Sequence, residues 1–208
     1  MRKLGLFLLK NNIHLMTFIF IAWAVWAGFN WAELVLVQKL VLGLYAWLII
    51  HEYEESYKDR FVDLILGRVM GIDYGSLTPG VTHLAQALYI TTIFSLALFF
   101  PNQLCLTFGL IVLCFFECFI HNWGIFMFRL KGVSPGWWTA IGMAAYAIWA
   151  IIQINQNIEY SGIQWLWGVL YFLGSFLILE VMVQLFIGNS PSRMINAFKA
   201  FIKQRFGK

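Results

Sequence analysis

The chain has 208 residues, of which 61% are hydrophobic and only 12% are charged, and its formal net charge is +4. Soluble domains contain about 45–50% apolar and about 25% charged residues. The composition therefore excludes an ordinary soluble domain and indicates an integral membrane protein. An odd number of cysteines, all within or beside one apolar segment at Cys105, Cys114 and Cys118, argues against a disulfide framework.

Six apolar segments, each long enough to cross a bilayer as a helix, follow one another along the chain. The predicted helices span residues 13–29, 34–56, 83–100, 103–128, 136–154 and 163–187. Their apolar runs are continuous, whereas the strands of a membrane barrel would alternate over about ten residues. Proline and glycine residues interrupt the runs at the expected connections, for example at Pro101 and Pro135. We therefore expect an all-α bundle of six transmembrane helices, with residues 1–190 forming one transmembrane domain.

The distribution of lysine and arginine predicts the orientation of this bundle. With the N-terminus in the cytoplasm, all basic residues except Lys39 fall on the cytoplasmic side, in the even-numbered connections and at both termini. Cytoplasmic loops of membrane proteins carry this excess of positive charge. Both termini are therefore expected in the cytoplasm, and a multi-pass protein of a bacterial inner membrane is the expected location.

The last segment, residues 191–208, differs from the rest because it is basic and amphipathic. Ile195, Phe198, Phe201 and Ile202 recur at helical spacing, and lysines lie between them. Such a helix typically lies in the interface of an anionic membrane leaflet with its apolar face in the lipid. We expect a C-terminal interfacial helix.

Ionisable residues are concentrated in the half of the bundle expected to face the cytoplasm. The segment HEYEE, at the end of the second helix, carries His51, Glu54 and Glu55 at spacings that place them on one face. The fourth helix carries Glu117 and His121 four residues apart, well inside the apolar run. Ionisable residues inside a span are energetically costly and generally face the bundle interior. These five residues predict one polar intramembrane site.

Histidine and glutamate pairs on separate helices are typical of metal sites in helical bundles. We expect His51, Glu54, Glu117 and His121 to be ligands of a divalent metal, zinc or iron, bound as one ion or as a pair. Glu55 and Glu117 are the predicted catalytic residues, with Glu55 as general base or as a group that orients a histidine. A metal-free acid–base site and a structural Glu–His contact remain alternatives. Further residues expected to support the site or contact the substrate are His83, Asn122, Arg129 and Glu180.

Three short motifs occur in order along the chain. They are H-x-x-E-E at His51 to Glu55, E-x-x-x-H-N at Glu117 to Asn122, and P-G-x-x-T at Pro135 to Thr139. This ordered set resembles the HXXEE family of multi-span membrane proteins. The resemblance implies that the histidines and glutamates of the first two motifs act as one constellation, and it implies no particular reaction.

The leading functional hypothesis is a membrane enzyme, metal-dependent and acting on a lipid or another apolar substrate from the cytoplasmic leaflet. Hydrolysis by metal-activated water is the first expected reaction, and oxidation at a di-iron centre is the second. A proton-coupled transporter is an alternative, because buried glutamates and histidines also form proton relays. A non-catalytic accessory protein is a third possibility. The basic residues follow membrane topology, so no nucleic-acid partner is expected.

Overall fold

The structure is a computed structural model that describes residues 11–56, 67, 81–186, 188 and 190–206. Within these ranges all regular structure is helical. The seven helices are α1 (Asn12–Phe29), α2 (Leu36–Ser56), α3 (Val81–Phe99), α4 (Leu104–Phe128), α5 (Trp137–Asn157), α6 (Ile163–Phe186) and α7 (Pro191–Phe206). The all-α class is confirmed, and helices lie at all six positions predicted for spans.

Four of these helices, α1, α4, α5 and α6, are long and apolar enough to cross a membrane. The apolar part of α3, Leu84–Phe99, is shorter. The second helix, α2, ends in the polar segment that contains His51 and three glutamates. Four candidate spans are consistent with a multi-pass membrane protein, while the count of six and the side on which the termini lie stay predictions.

Helices α2 and α4 form the centre of the bundle, and the other helices pack around them. Helix α2 contacts α5 and α3, α4 contacts α5 and α6, and α6 contacts α3, while α1 packs outside against α2 and α3. Helices α2 and α4 also contact each other, and each has a largely buried face. The polar ends of these two central helices are therefore brought together inside the bundle.

Small residues allow close helix approach, as is common where membrane helices pack. A Cβ atom added to Gly168 of α6 would lie 3.1 Å from the carbonyl oxygen of Cys105 and from the backbone nitrogen of Gly109, both on α4. Gly43 of α2 leaves similar space for the ring of Tyr146 on α5. These contacts fix α4 and α2 against their neighbours and so help to position the polar residues that both helices carry.

The C-terminal helix α7 packs across the end of α4. The Phe198 ring stacks on Trp123, the Phe201 ring contacts Phe128, and the Arg205 guanidinium donates a hydrogen bond of 3.2 Å to a backbone carbonyl of α4, that of Phe126. The basic helix predicted for residues 191–208 is thus present over Pro191–Phe206. It lies at the same end of α4 as His121.

Candidate metal centre

Two pairs of side chains, one on α2 and one on α4, face each other near the C-terminal ends of these helices. His51 and Glu55 are four residues apart on α2, and Glu117 and His121 are four residues apart on α4. Residues at this spacing project from one face of a helix. Because α2 and α4 pack together with these faces toward each other, the four side chains meet in one cluster.

Each histidine faces the glutamate of the other helix as well as its own. The His121 Nε2 atom lies 3.2 Å from Glu55 Oε1, and the His51 Nε2 atom lies 3.8 Å from Glu117 Oε2. The contacts within each helix are 3.9 Å for His51–Glu55 and 3.7 Å for His121–Glu117. The two imidazole rings are nearly perpendicular, with centroids 4.9 Å apart. The Nε2 atom of each histidine therefore faces one carboxylate oxygen from each of the two helices.

The other nitrogen of the His51 ring is held by the start of α5. His51 Nδ1 lies 3.1 Å from the carbonyl oxygen of Gly136 and 3.0 Å from the hydroxyl oxygen of Thr139. A carbonyl oxygen only accepts hydrogen bonds, so this contact assigns the proton to Nδ1. In a neutral ring with this proton, Nε2 carries the lone pair and faces the two carboxylates.

The ring of His121 is oriented in the same way by a serine from the loop before α5. The Ser134 hydroxyl donates to the backbone carbonyl of His121 and lies 3.0 Å from Nδ1 of the ring. Since its proton goes to the carbonyl, the hydroxyl oxygen accepts from Nδ1–H. Histidines that bind metals typically donate one ring N–H to such a partner, which fixes the tautomer and the ring orientation. Both imidazoles of the cluster have this arrangement.

Gly136 forms one wall of the cluster. A Cβ atom at this position would lie 2.7 Å from both Glu55 Cγ and His51 Cε1, and 3.0 Å from His121 Cε1. Its φ angle of +80° is also in the left-handed region that favours glycine. The Pro135–Gly136 pair of the third motif therefore has a direct structural role, because only a glycine leaves room for three of the four clustered side chains.

The structure differs from the sequence-based expectation in the placement of Glu54 and Glu55. The Glu54 carboxylate was expected in the metal site, but it accepts hydrogen bonds from the backbone N–H and the hydroxyl of Thr139, at 2.9 and 2.5 Å. Thr139 is in the first turn of α5, so Glu54 caps that helix with a negative charge. Glu55, expected as base or orienting residue, instead lies between the two histidines. Glu54 supports the site indirectly, through Thr139 and His51.

One buried carboxylate received no role from the sequence. Glu52 is buried, and its Oε1 atom accepts a hydrogen bond of 2.7 Å from the side-chain amide of Gln86 on α3. The helical spacing from His51 gave no signal for it, because adjacent residues project about 100° apart on a helix. Ser134 was missed as well, since a single serine in a loop has no distinctive pattern.

Three of the four supporting residues predicted from the sequence, Asn122, Arg129 and Glu180, lie outside the cluster. The side chain of Asn122 accepts a hydrogen bond of 3.1 Å from the Trp137 indole and so links α4 to α5. Arg129 is exposed and ends α4 with a left-handed backbone conformation. Glu180 is half-buried on α6 and is not among the residues that contact the two histidines. The side chain of His83 lies outside the described part of the structure.

Glu117 is the most accessible member of the cluster. Its side chain is 20% exposed, compared with 7% for Glu55, 2% for His51 and 0% for His121. It also lines a cavity of about 20 Å³, together with Gln86 and Tyr89 of α3. A space of this size can hold one water molecule. A water molecule or substrate can therefore approach the cluster at Glu117.

The donor atoms of the cluster lie within a few tenths of an ångström of the spacing that a tetrahedral metal site requires. Zinc binds imidazole nitrogen and carboxylate oxygen at about 2.0–2.2 Å, so neighbouring ligand atoms of a tetrahedral site lie about 3.3–3.6 Å apart. The four measured nitrogen–oxygen separations run from 3.2 to 3.9 Å, and three of them exceed hydrogen-bond distance. The donor atoms of His51, Glu55 and His121 all lie within 4.8 Å of one another. These three buried residues could hold a metal ion.

Comparison with known proteins returned no match: no protein-family model, no curated protein and no solved structure is significantly similar to this chain.

Proposed function

We propose that the protein is a multi-pass membrane enzyme that binds a divalent metal, zinc or iron, between α2 and α4 and hydrolyses a lipid or another apolar substrate. One observation carries the proposal. Donor atoms of His51, Glu55 and His121 lie within 4.8 Å of one another, and both histidines are held by their Nδ1 atoms with Nε2 directed toward the carboxylates. Histidines that bind metals are typically oriented in this way, by a partner of the other ring nitrogen.

The geometry supports a division of roles within the cluster. His51, His121 and Glu55 are the proposed ligands, which gives the two-histidine, one-glutamate set found in several zinc hydrolases. A metal held there supplies an activated water molecule. Glu117 lies beside both histidines and at the cavity, so it is the proposed general base. It accepts the proton of the water during attack and returns that proton to the leaving group when the substrate bond breaks.

The positions of the remaining glutamates favour one metal ion over two. A di-iron centre for substrate oxidation needs further carboxylate ligands for the second ion. Glu54 is hydrogen-bonded to Thr139, and Glu52 to Gln86, so neither projects into the cluster. We therefore place hydrolysis before oxidation.

The proposed substrate follows from the surroundings. Apolar helices enclose the cluster, and the proposed topology places it in the cytoplasmic half of a bacterial inner membrane. A substrate that reaches it there carries hydrocarbon, and the basic residues expected at the inner surface, Arg129 and Lys131 among them, would attract an anionic headgroup. This leads to a lipid-like substrate taken from the cytoplasmic leaflet.

The proposal is tested by comparing the lipids of cells that produce the protein with and without the proposed base, Glu117. Membranes from cells that produce the wild-type chain, Glu117→Gln or the control Glu159→Gln are extracted, and their lipids are compared by mass spectrometry. Glu159 is exposed at the opposite end of the bundle. We expect the wild type and Glu159→Gln to deplete the same lipid class and to accumulate its hydrolysis product, and Glu117→Gln to do neither.

Purified protein in nanodiscs made from those lipids then links the reaction to the metal. Removal of the metal with a chelator should abolish turnover, and adding back zinc or iron should restore it. Identical lipid profiles for all three forms, together with purified protein that contains no stoichiometric metal, would refute the proposed function.

A further inference from the structure

A groove of about 280 Å³ lies between α3 and α6 on the outside of the bundle. Leu88 and Leu96 of α3 and Ile178 of α6 border it, and all three are exposed. Its lining is apolar except for a few hydroxyl groups, including that of Thr92. The groove is therefore an apolar channel along the outer surface of two neighbouring helices.

The location of the groove determines what can fill it. Helix α6 is one of the four helices apolar enough to span a membrane, and α3 packs beside it. At that depth the medium is hydrocarbon, and an outward-facing apolar groove meets lipid chains and not water. A long alkyl chain matches both the shape of the groove and the material around it.

One side chain, that of Tyr89, is shared by the groove and the small cavity beside Glu117. The Tyr89 hydroxyl lies 3.2 Å from the hydroxyl of Ser175 on α6, which holds the ring in place between the two helices. Through Tyr89 the groove adjoins the cavity lined by Glu117, the most accessible member of the described cluster, and it continues along α3 toward Leu96 and along α6 toward Tyr171.

We propose that this groove binds the hydrocarbon chain of the substrate, with the polar end beside Glu117 and the chain extending toward Leu96 and Tyr171. The inference rests on the proposed function and names its substrate class: an amphiphile with a long alkyl chain that enters sideways from the bilayer between α3 and α6. Tyr89 then marks the boundary between the part of the substrate that reacts and the part that is only held.

Photolabelling tests where the chain lies. Two fatty-acid probes are incorporated into nanodiscs, one with a diazirine near the carboxyl group and one with a diazirine near the methyl end, and labelled peptides are mapped by mass spectrometry. The first probe should label the segments around Tyr89 and Leu179, and the second those around Leu96 and Tyr171. Equal labelling of α5 at its exposed residues, such as Ile152, would show that the probes mark any lipid-facing surface and would overturn the inference.

A groove-filling variant provides the second arm. Thr92→Trp places an indole in the groove from an exposed position, whereas Ile152→Trp adds the same group to the exposed face of α5. We expect Thr92→Trp to lower labelling of the groove by at least about fivefold, because the indole occupies the contacts that hold the chain. Ile152→Trp should leave it unchanged. Unaltered labelling in Thr92→Trp would contradict the inference.

The metal content of the same samples separates this inference from the proposed function. Both tryptophan variants should retain as much metal as the wild type, because neither position touches the cluster. Groove-specific labelling of a protein that contains no metal would support the chain site and refute the metal-dependent reaction. Uniform labelling of a protein that does contain metal would refute the chain site and leave the metal centre supported.

Discussion

Replacing Gly136 by alanine should damage the metal centre although no ligand is changed. The added Cβ would lie 2.7 Å from Glu55 Cγ and from His51 Cε1. Carbon atoms in contact are normally about 3.5–4.0 Å apart, so these side chains must move by about 1 Å. Overpacking of this kind costs about 1–3 kcal/mol, and the left-handed backbone conformation costs an alanine a further 1–2 kcal/mol, roughly. We expect a total loss of stability of about 2–5 kcal/mol.

The effect on metal binding should exceed that of a distant destabilising change, because the displaced groups are two proposed ligands. Loss of a residue that only orients the ligands lowers metal affinity about 10–100-fold, and Gly136→Ala should reach at least this range. Affinity is measured by competition with a chelator of known strength, and stability by thermal unfolding in detergent.

Gly132→Ala is the matched control for this substitution. Gly132 lies in the same loop, its φ angle is not in the left-handed region, and no atom lies within 4 Å of its added Cβ. The free energy of unfolding of Gly132→Ala should differ from that of the wild type by less than about 0.5 kcal/mol, and its metal affinity should be unchanged. If Gly136→Ala folds and binds metal as tightly as Gly132→Ala, the arrangement derived for the cluster is wrong.

Three further predictions concern the support of the centre and of the bundle. Glu55→Gln should lower the bound metal to less than half of the wild-type content. Glu54→Gln should retain its metal but lose about 0.5–2 kcal/mol of stability, because the cap of α5 is weakened. Equal metal loss in the two variants would contradict the assigned positions. Thr139→Val preserves volume but removes the hydroxyl beside the imidazole, and should weaken metal binding about 10–100-fold, as measured by chelator competition. Gly168→Ala should lower the thermal stability by about 1–3 kcal/mol because α4 and α6 must separate. Gly174→Ala, which meets no atom within 4 Å, should be neutral, and equal stability of the two would argue against that close contact.

Helices α1 to α6 were predictable because each one coincides with a long apolar run that ends at a glycine, proline or polar cluster. Every predicted boundary lies within three residues of the observed one; the largest difference is at the end of α5, where the helix continues to Asn157 instead of residue 154. The extra turn is polar, so hydropathy gave no reason to include it. Helix α2 is not among the four candidate spans, because His51 and three glutamates at its end lower its mean hydropathy.

Helical spacing predicted which faces of the helices carry the candidate site, but not which individual side chains meet there. The four-residue spacing of Glu117 and His121, and the position of His51 near Glu54 and Glu55, identified the correct faces of α2 and α4. The spacing could not decide between the two adjacent glutamates, because both lie on the same broad face as His51. That choice depends on where α5 begins. Thr139 in its first turn donates hydrogen bonds to Glu54, and Glu55 faces the histidines.

The contribution of the loop before α5 also lay beyond the sequence pattern. Ser134 orients His121, and Gly136 leaves space beside Glu55, but these roles depend on contacts between residues that are distant in the chain. The P-G-x-x-T motif was visible as a helix start, and its position against the cluster appeared only with the packing of α5 on α2.

Elemental analysis of the detergent-purified protein tests the central claim most directly. Wild type, His51→Ala, His121→Ala and the control His14→Ala are measured together; His14 interacts with Tyr53 and is not part of the cluster. We predict about one equivalent of zinc or iron per chain in the wild type and in His14→Ala, as expected for a single site, and loss of that metal in the other two variants. A folded wild-type protein with no bound metal, or equal metal in all four forms, would contradict the account.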